Sequence, residues 1–220
     1  PHMPPCGPGH GATAARMATD SAQPANAMTA NVQRAFVLSL LVLLMLGTRI
    51  NHFAPIPDAS WAVFFIGGFH LRNWTRWAFP LLMVLAVAID WAVISNQCMN
   101  FWGLYCVSSG YWALVPAYFA MWAGGMLLRR FYKGASWRAL GLFAATLVGA
   151  VVVCHLFAQG GFYWTSSVVA EPTVAGWAKN YSDWLLPYLR TAAMYTGVAA
   201  LVQVAAEAFA RQPASGRIAH

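Results

Sequence analysis

The sequence predicts an all-α membrane protein, a six-transmembrane-helix bundle with both termini cytoplasmic. Three observations predict it. Of 220 residues, 60% are hydrophobic and only 9% are charged, against about 25% charged in an ordinary soluble domain. Apolar runs of roughly spanning length, about 17–25 residues, recur along the chain, and backbone crossing a bilayer must close its hydrogen bonds within a helix. The basic residues, finally, gather on one side of the connections between these runs, as they do where Lys and Arg are kept cytoplasmic. No stretch is left for a soluble catalytic domain.

Residues 1–33 are rich in Pro, Gly, Ala and Thr without an apolar period and read as a disordered tail, with Pro1-His2-Met3 resembling an added remnant. Met17 and Met28 each offer a start. Nothing before the first apolar run resembles a charged leader with a cleavage site, so that run is read as a retained helix. It covers about Ala35 to Ile50. Pro55 and Pro57 in the following connection cannot continue a helix, and Asp58 or Ser60 can cap the next one, a short helix from Trp61 to Leu71. The third helix covers about Trp77 to Ser95, the fourth Tyr111 to Leu128, the fifth Ala139 to Ala158 and the sixth Trp184 to Ala210. One domain therefore occupies 34–210, with 211–220 as a short cytoplasmic tail.

Topology follows from the charges. Arg16, Arg34, Arg72, Arg76, Arg129, Arg130, Lys133, Arg138, Arg211 and Arg217 fall on one side, whereas Arg49, Lys179 and Arg190 fall on the other. The first group marks the cytoplasmic face, which makes 51–60, 96–110 and 159–183 the outer connections. Inner connections are terse and basic; outer ones are long, aromatic and polar. A bundle with its chemical variety at one end is expected to bind something there. The net charge of +7 is dispersed over short loops with no aromatic-basic motif, which argues against nucleic acid as a partner.

The outer connection 96–110 is a polar island holding Cys98 and Cys106 between two apolar runs. Cys106 stands just before Ser108-Ser109-Gly110 and the fourth helix, where a helix N-terminus stabilises a thiolate. Cys98 has no such support. A disulfide between the two on an oxidising face, or two inert thiols, are the alternatives. The four cysteines, at 6, 98, 106 and 154, form neither a CxxC pair nor a zinc pattern. Asp90 lies inside an apolar helix, where an acid costs about 2.5–3.5 kcal/mol and faces a cavity or a partner; pairing with Arg49 is the plainer reading. His52 is a loop histidine able to ligate or donate. Cys154 and His155 read as packing residues. Gly141, Ala145 and Gly149 in the fifth helix, and Ala192, Thr196 and Ala200 in the sixth, have the four-residue spacing that lets helices approach and read as contacts inside the monomer.

Taken together these features resemble the S-components of energy-coupling-factor vitamin transporters. The residues carrying the resemblance are His52-Phe53-Ala54-Pro55-Ile56-Pro57-Asp58-Ala59-Ser60 leading to Gly67-Gly68, Asp90-Trp91, Cys106-Val107-Ser108-Ser109-Gly110-Tyr111, and Val174-Ala175-Gly176-Trp177-Ala178-Lys179-Asn180-Tyr181. Within that family they are most similar to the BtuM branch of solitary cobalamin transporters. The resemblance covers about 34–210 and implies uptake of cobalamin (vitamin B12) across a bacterial inner membrane. It further implies a loop cysteine on the corrin cobalt, here Cys106 with Cys98 in reserve. His52, Asp90, Tyr111 and Tyr181 are then the polar contacts of the cobalamin cavity.

A soft thiolate on cobalt displaces the upper ligand, so decyanation of cyanocobalamin is expected to accompany binding, with Cys106 as its catalytic group. Cobalamin, as transported ligand, is the only cofactor implied. The AxxxA pattern used to dock on a coupling subunit is weak in the first helix, where Ala35 and Ser39 are the nearest pair, which fits a protein working without a dedicated coupling module. Two other classes of function compete with transport. A membrane thiol oxidoreductase would cycle Cys98 and Cys106 as a redox pair; a membrane scaffold would need neither.

Overall fold

A computed structural model describes residues 11–50, 57–96 and 109–211, with side chains from Met28 onward. The described residues form helices and no strand: α1 (Gly11–Arg49), α2 (Ser60–His70), a 3-10 turn (Arg72–Trp74), α3 (Thr75–Asn96), a second 3-10 turn (Ser109–Ala113), α4 (Leu114–Phe131), α5 (Trp137–Thr165) and α6 (Val174–Arg211). Among the described residues five segments are long and apolar enough to cross a membrane: Met28–Arg49, Arg72–Asn96, Gly110–Phe131, Trp137–Thr165 and Val174–Arg211. With 11 residues, α2 reaches about 16 Å, roughly half the hydrocarbon thickness.

Short as it is, α2 is the centre of the bundle. Ala62, Val63, Phe64, Phe65, Gly67, Gly68 and Phe69 are all buried, so it is apolar on every side, as a helix enclosed by others must be. It crosses α4 at backbone contact. A Cβ on Gly68 would lie 2.0 Å from the Trp122 carbonyl oxygen, and one on Gly125 would lie 2.0 Å from the Phe65 carbonyl oxygen. Only glycine permits that crossing. Around it Met45, Leu82, Met121, Trp122, Val151 and Cys154 are fully buried, and Trp122 Nε1 donates to Thr75 Oγ1 at 3.0 Å, tying α4 to the start of α3.

Several elements differ from the sequence expectations. Helix α1 begins at Gly11, inside the stretch 1–33 expected to be a disordered tail; alanines at 12, 14, 15, 18, 22, 25, 27 and 30 give that stretch high helix propensity. The outer connection expected over 159–183 shrinks to residues 166–173, because α5 continues to Thr165 and α6 starts at Val174. Pro172 cannot continue a helix from α5, and the Thr173 hydroxyl accepts from the Gly176 N–H at 3.1 Å to cap the start of α6. An i,i+4 pair of Lys179 and Asp183, 2.6 Å apart, lies along the exposed face of that first stretch. The α6 stripe does pack inside, with Ala192 and Thr196 buried. The α5 stripe does not: a Cβ on Gly141 or Gly149 would meet nothing within 4 Å. Helix α5 presents Thr146, Leu147, Ala150 and Val151 inward instead, the larger side chains taking the core.

Candidate functional site

The C-terminal end of α1, the N-terminal ends of α2 and α4, and the last turns of α3 meet around one guanidinium. Arg49 is 6% exposed. Its Nε and Nη2 donate to the two oxygens of Asp90 at 2.6 and 2.7 Å, a bidentate fork. Its Nη1 is within reach of three acceptors: Asp58 Oδ2 at 3.0 Å, Ser60 Oγ at 2.8 Å and Tyr118 Oη at 3.1 Å. A buried charge is tolerable only when its hydrogens are all taken, and here four elements supply the acceptors.

The two acids are themselves held. Tyr111, in the 3-10 turn before α4, donates its hydroxyl to Asp90 Oδ2 at 2.8 Å, so Asp90 accepts three hydrogen bonds. Asp58 Oδ1 accepts from the Ser60 N–H at 2.9 Å and the Ser60 hydroxyl at 2.7 Å. In the turn before α2 the Ala59 N–H donates to Thr48 Oγ1 at 3.2 Å. The start of α2 is thereby fixed against the end of α1 on both sides of residues 51–56. Tyr195 of α6 adds a bond to the Pro57 carbonyl at 2.8 Å.

Beside this cluster stands an aromatic wall. Trp61, next to Ser60, stacks on Tyr188 of α6 with ring centroids 4.6 Å apart. Behind them His155 of α5 is 1% exposed, with the Tyr181 and Tyr188 rings at 4.6 and 5.3 Å. His155 Nε2 lies 3.0 Å from the Tyr181 carbonyl oxygen; a carbonyl only accepts, so Nε2 carries the proton. Trp177, one turn before Tyr181, has a buried indole N–H with no partner among the described residues.

Of the residues singled out from the sequence, Asp90 and Tyr111 are joined directly. Tyr111 is not in the body of a helix as expected but in the 3-10 turn ahead of α4. Tyr181 is not in a loop: it sits on the first turns of α6, and its hydroxyl donates to the Val152 carbonyl at 2.9 Å, separate from the Asp90 cluster. His52, Cys98 and Cys106 lie outside the described residues. Cys154 is fully buried. Among the described residues no three His, Cys, Asp or Glu side chains gather in a metal-binding arrangement.

Several contributors were not singled out as site residues. The sequence offers Arg49 only as the plainer partner of Asp90, a pairing that the structure contains; its bonds to Asp58, Ser60 and Tyr118 were not expected. Tyr118 is indistinguishable from a packing aromatic without the fold. His155 stood beside Cys154 on an apolar face, and its aromatic surroundings come from α2 and α6. Compared with known proteins, the chain matches no protein-family model and no curated protein sequence.

Proposed function

We propose that the chain is a cobalamin transporter of the solitary S-component type, a six-helix membrane bundle in which α2 joins the five spanning segments. In this reading both termini are cytoplasmic, the membrane is a bacterial inner membrane, and the corrinoid binds at the Arg49 end. The observation that carries it is the construction of that end. A fixed set of donors and acceptors, Arg49, Asp58, Asp90 and Tyr111, stands beside the aromatic wall of Trp61, Tyr181 and Tyr188. An apolar wall beside a few oriented polar groups is the combination that suits a bulky, partly apolar ligand.

The described residues that flank 51–56 and 97–108, the stretches holding His52, Cys98 and Cys106, are at that end. Tyr111 follows Cys106 by five residues, and its bond to Asp90 anchors the chain on which the thiol is carried. Asp90 and Tyr111 then act mainly by fixing the 3-10 turn at the head of α4, with Arg49 shared between Asp90 and the acceptors on Asp58, Ser60 and Tyr118. In the ligand step the Cys106 sulfur forms a bond to cobalt as the cobalt–cyanide bond breaks. Cyanide leaves with the thiol proton, and the cobalt oxidation state does not change.

The test is the visible spectrum of the purified protein after incubation with cyanocobalamin, for wild type, Cys106→Ser and Cys98→Ser together. Wild type is expected to retain corrinoid with a shifted cobalt spectrum, Cys98→Ser to keep the shift and Cys106→Ser to lose it. A wild-type protein that stays colourless at saturating cobalamin defeats the reading. A shift lost in Cys98→Ser but kept in Cys106→Ser moves the ligand to the other thiol.

A further inference from the structure

At the opposite end of the bundle α5 and α6 part over α2, leaving an apolar groove of about 380 Å³, within the range of ordinary ligand cavities, about 300–1,000 Å³. Phe65 and Phe69 of α2 form its floor, Phe143 of α5 one wall, and Gly197, Ala200 and Val204 of α6 the other. We propose that this groove seats an anionic phospholipid, with an acyl chain against the apolar walls and the phosphate against Arg129, Lys133 and Arg138. The proposal needs only the membrane-spanning character of the helices and is independent of what the Arg49 end transports.

The rim carries the charge such a headgroup needs. Tyr132, Ala135 and Ser136 line the mouth, and the three cations are their close neighbours in the chain, all exposed. The Arg129 guanidinium lies 5.2 Å from the centre of the Phe69 ring, which is part of the floor. Glu207 is the acid at this rim, and its oxygens are already engaged: it accepts from the Tyr132 hydroxyl at 2.7 Å, the Gln203 amide at 2.9 Å, the Ala135 N–H at 3.2 Å and Arg211 at 3.2 Å. Among the described residues no acid pairs with Arg129, Lys133 or Arg138. The N-terminus of α5 at Trp137 adds the positive end of a helix dipole.

Depth agrees with charge. The rim lies between the end of one membrane-spanning segment at Phe131 and the start of the next at Trp137, and Trp137 is 87% exposed, as an interfacial anchor is. Cations at that level meet lipid phosphates, and the groove below them runs into the hydrocarbon. A partner helix or a second copy of the chain would cover the apolar walls and leave the rim cations unmatched. An anionic lipid meets both.

The test is native mass spectrometry of the full chain in detergent after incubation with equal amounts of phosphatidylglycerol and phosphatidylcholine of the same acyl composition. Wild type is expected to retain phosphatidylglycerol about tenfold over phosphatidylcholine. Arg129→Gln/Lys133→Gln/Arg138→Gln is expected to bring the two to parity. Gly197→Leu fills the groove; a Cβ there meets nothing within 4 Å, so the variant should melt no lower than wild type while retaining neither lipid. If the triple variant fails to fold, the single variants Lys133→Gln and Arg138→Gln each report the same preference in part. Equal retention of the two lipids by wild type, retention of neither, or full retention by Gly197→Leu overturns the proposal. So does a protein chain, or a second copy, released from the groove by Gly197→Leu.

Discussion

Arg49 and Arg129 are both arginines at the end of an apolar helix, and they end in opposite situations. Arg49 is buried with five acceptor atoms drawn from α2, α3, α4 and the turn before α2. Arg129 is exposed, resting on the Phe69 ring with no acid paired to it among the described residues. The difference teaches what sets the worth of a charge in a bundle. An exposed cation is solvated whatever its neighbours do and contributes little to the fold, whereas a buried one makes its partners indispensable.

Removing each arginine is the largest test of that contrast. Arg49→Met leaves Asp90, with a side chain only 16% exposed, facing Asp58 with no cation between them, and should cost about 3–5 kcal/mol. Arg129→Met should change stability by no more than about 0.5 kcal/mol. Joining Asp90→Leu to Arg49→Met should recover most of the loss, because the remaining acid, Asp58, is 32% exposed and still bonded to Ser60. Denaturation in mixed detergent micelles reads all three; a double variant as weak as Arg49→Met alone would mean that the cluster holds by shape rather than by charge.

The same division between engaged and open positions runs through the glycines. Gly125 faces the Phe65 carbonyl oxygen, where a Cβ would come within 2.0 Å, while at Gly141 a Cβ meets nothing within 4 Å. Gly125→Ala must push two helix backbones apart and should cost about 3 kcal/mol, the upper end of ordinary overpacking. Gly141→Ala should be neutral or stabilise by up to about 1 kcal/mol through helix propensity. Equal melting temperatures for the two variants would remove the α2–α4 crossing as the anchor of the bundle.

These glycines also mark how far the sequence was legible. Apolar runs and prolines located the helices, since spanning a bilayer forces one secondary structure on any long apolar stretch. Their ends were less legible, because Trp177, Tyr181 and Lys179 read as polar loop residues and yet lie on α6, where Lys179 pairs with Asp183 one turn on. Facing directions were legible only in part: the α6 stripe of Ala192 and Thr196 packs inward as its spacing suggests, and the α5 stripe does not. Gly141 and Gly149 have the packing spacing but point away from the core, and Gly125, one of a plain pair in an apolar run, shares with Gly68 the tightest approach. Asp90 announced itself by its cost in an apolar helix, and Arg49 was its natural partner. Ser60, Tyr118 and the aromatic wall around His155 depend on elements far apart in the chain, which no local pattern encodes.

The smallest of the paired tests concerns the two tyrosines expected to line the site. Tyr111 donates to a carboxylate that already bears a bidentate arginine, across 21 residues of chain; Tyr181 donates to the Val152 carbonyl from an exposed position. A bond to a charged acceptor is worth about 1.5–3 kcal/mol and a neutral one about 0.5–1.5 kcal/mol. Because Arg49 still satisfies both Asp90 oxygens, Tyr111→Phe should fall at the lower end of the first range, about 1.5 kcal/mol, and Tyr181→Phe near 0.5 kcal/mol, lowered by solvent. Paired with Asp90→Asn in a double-mutant cycle, Tyr111→Phe should show coupling and Tyr181→Phe none, since only Tyr111 touches Asp90. Coupling of Tyr181 to Asp90 as strong as that of Tyr111 would mean that the polar cluster and the aromatic wall behave as one cooperative unit, and a ligand bound at one would then be felt at the other.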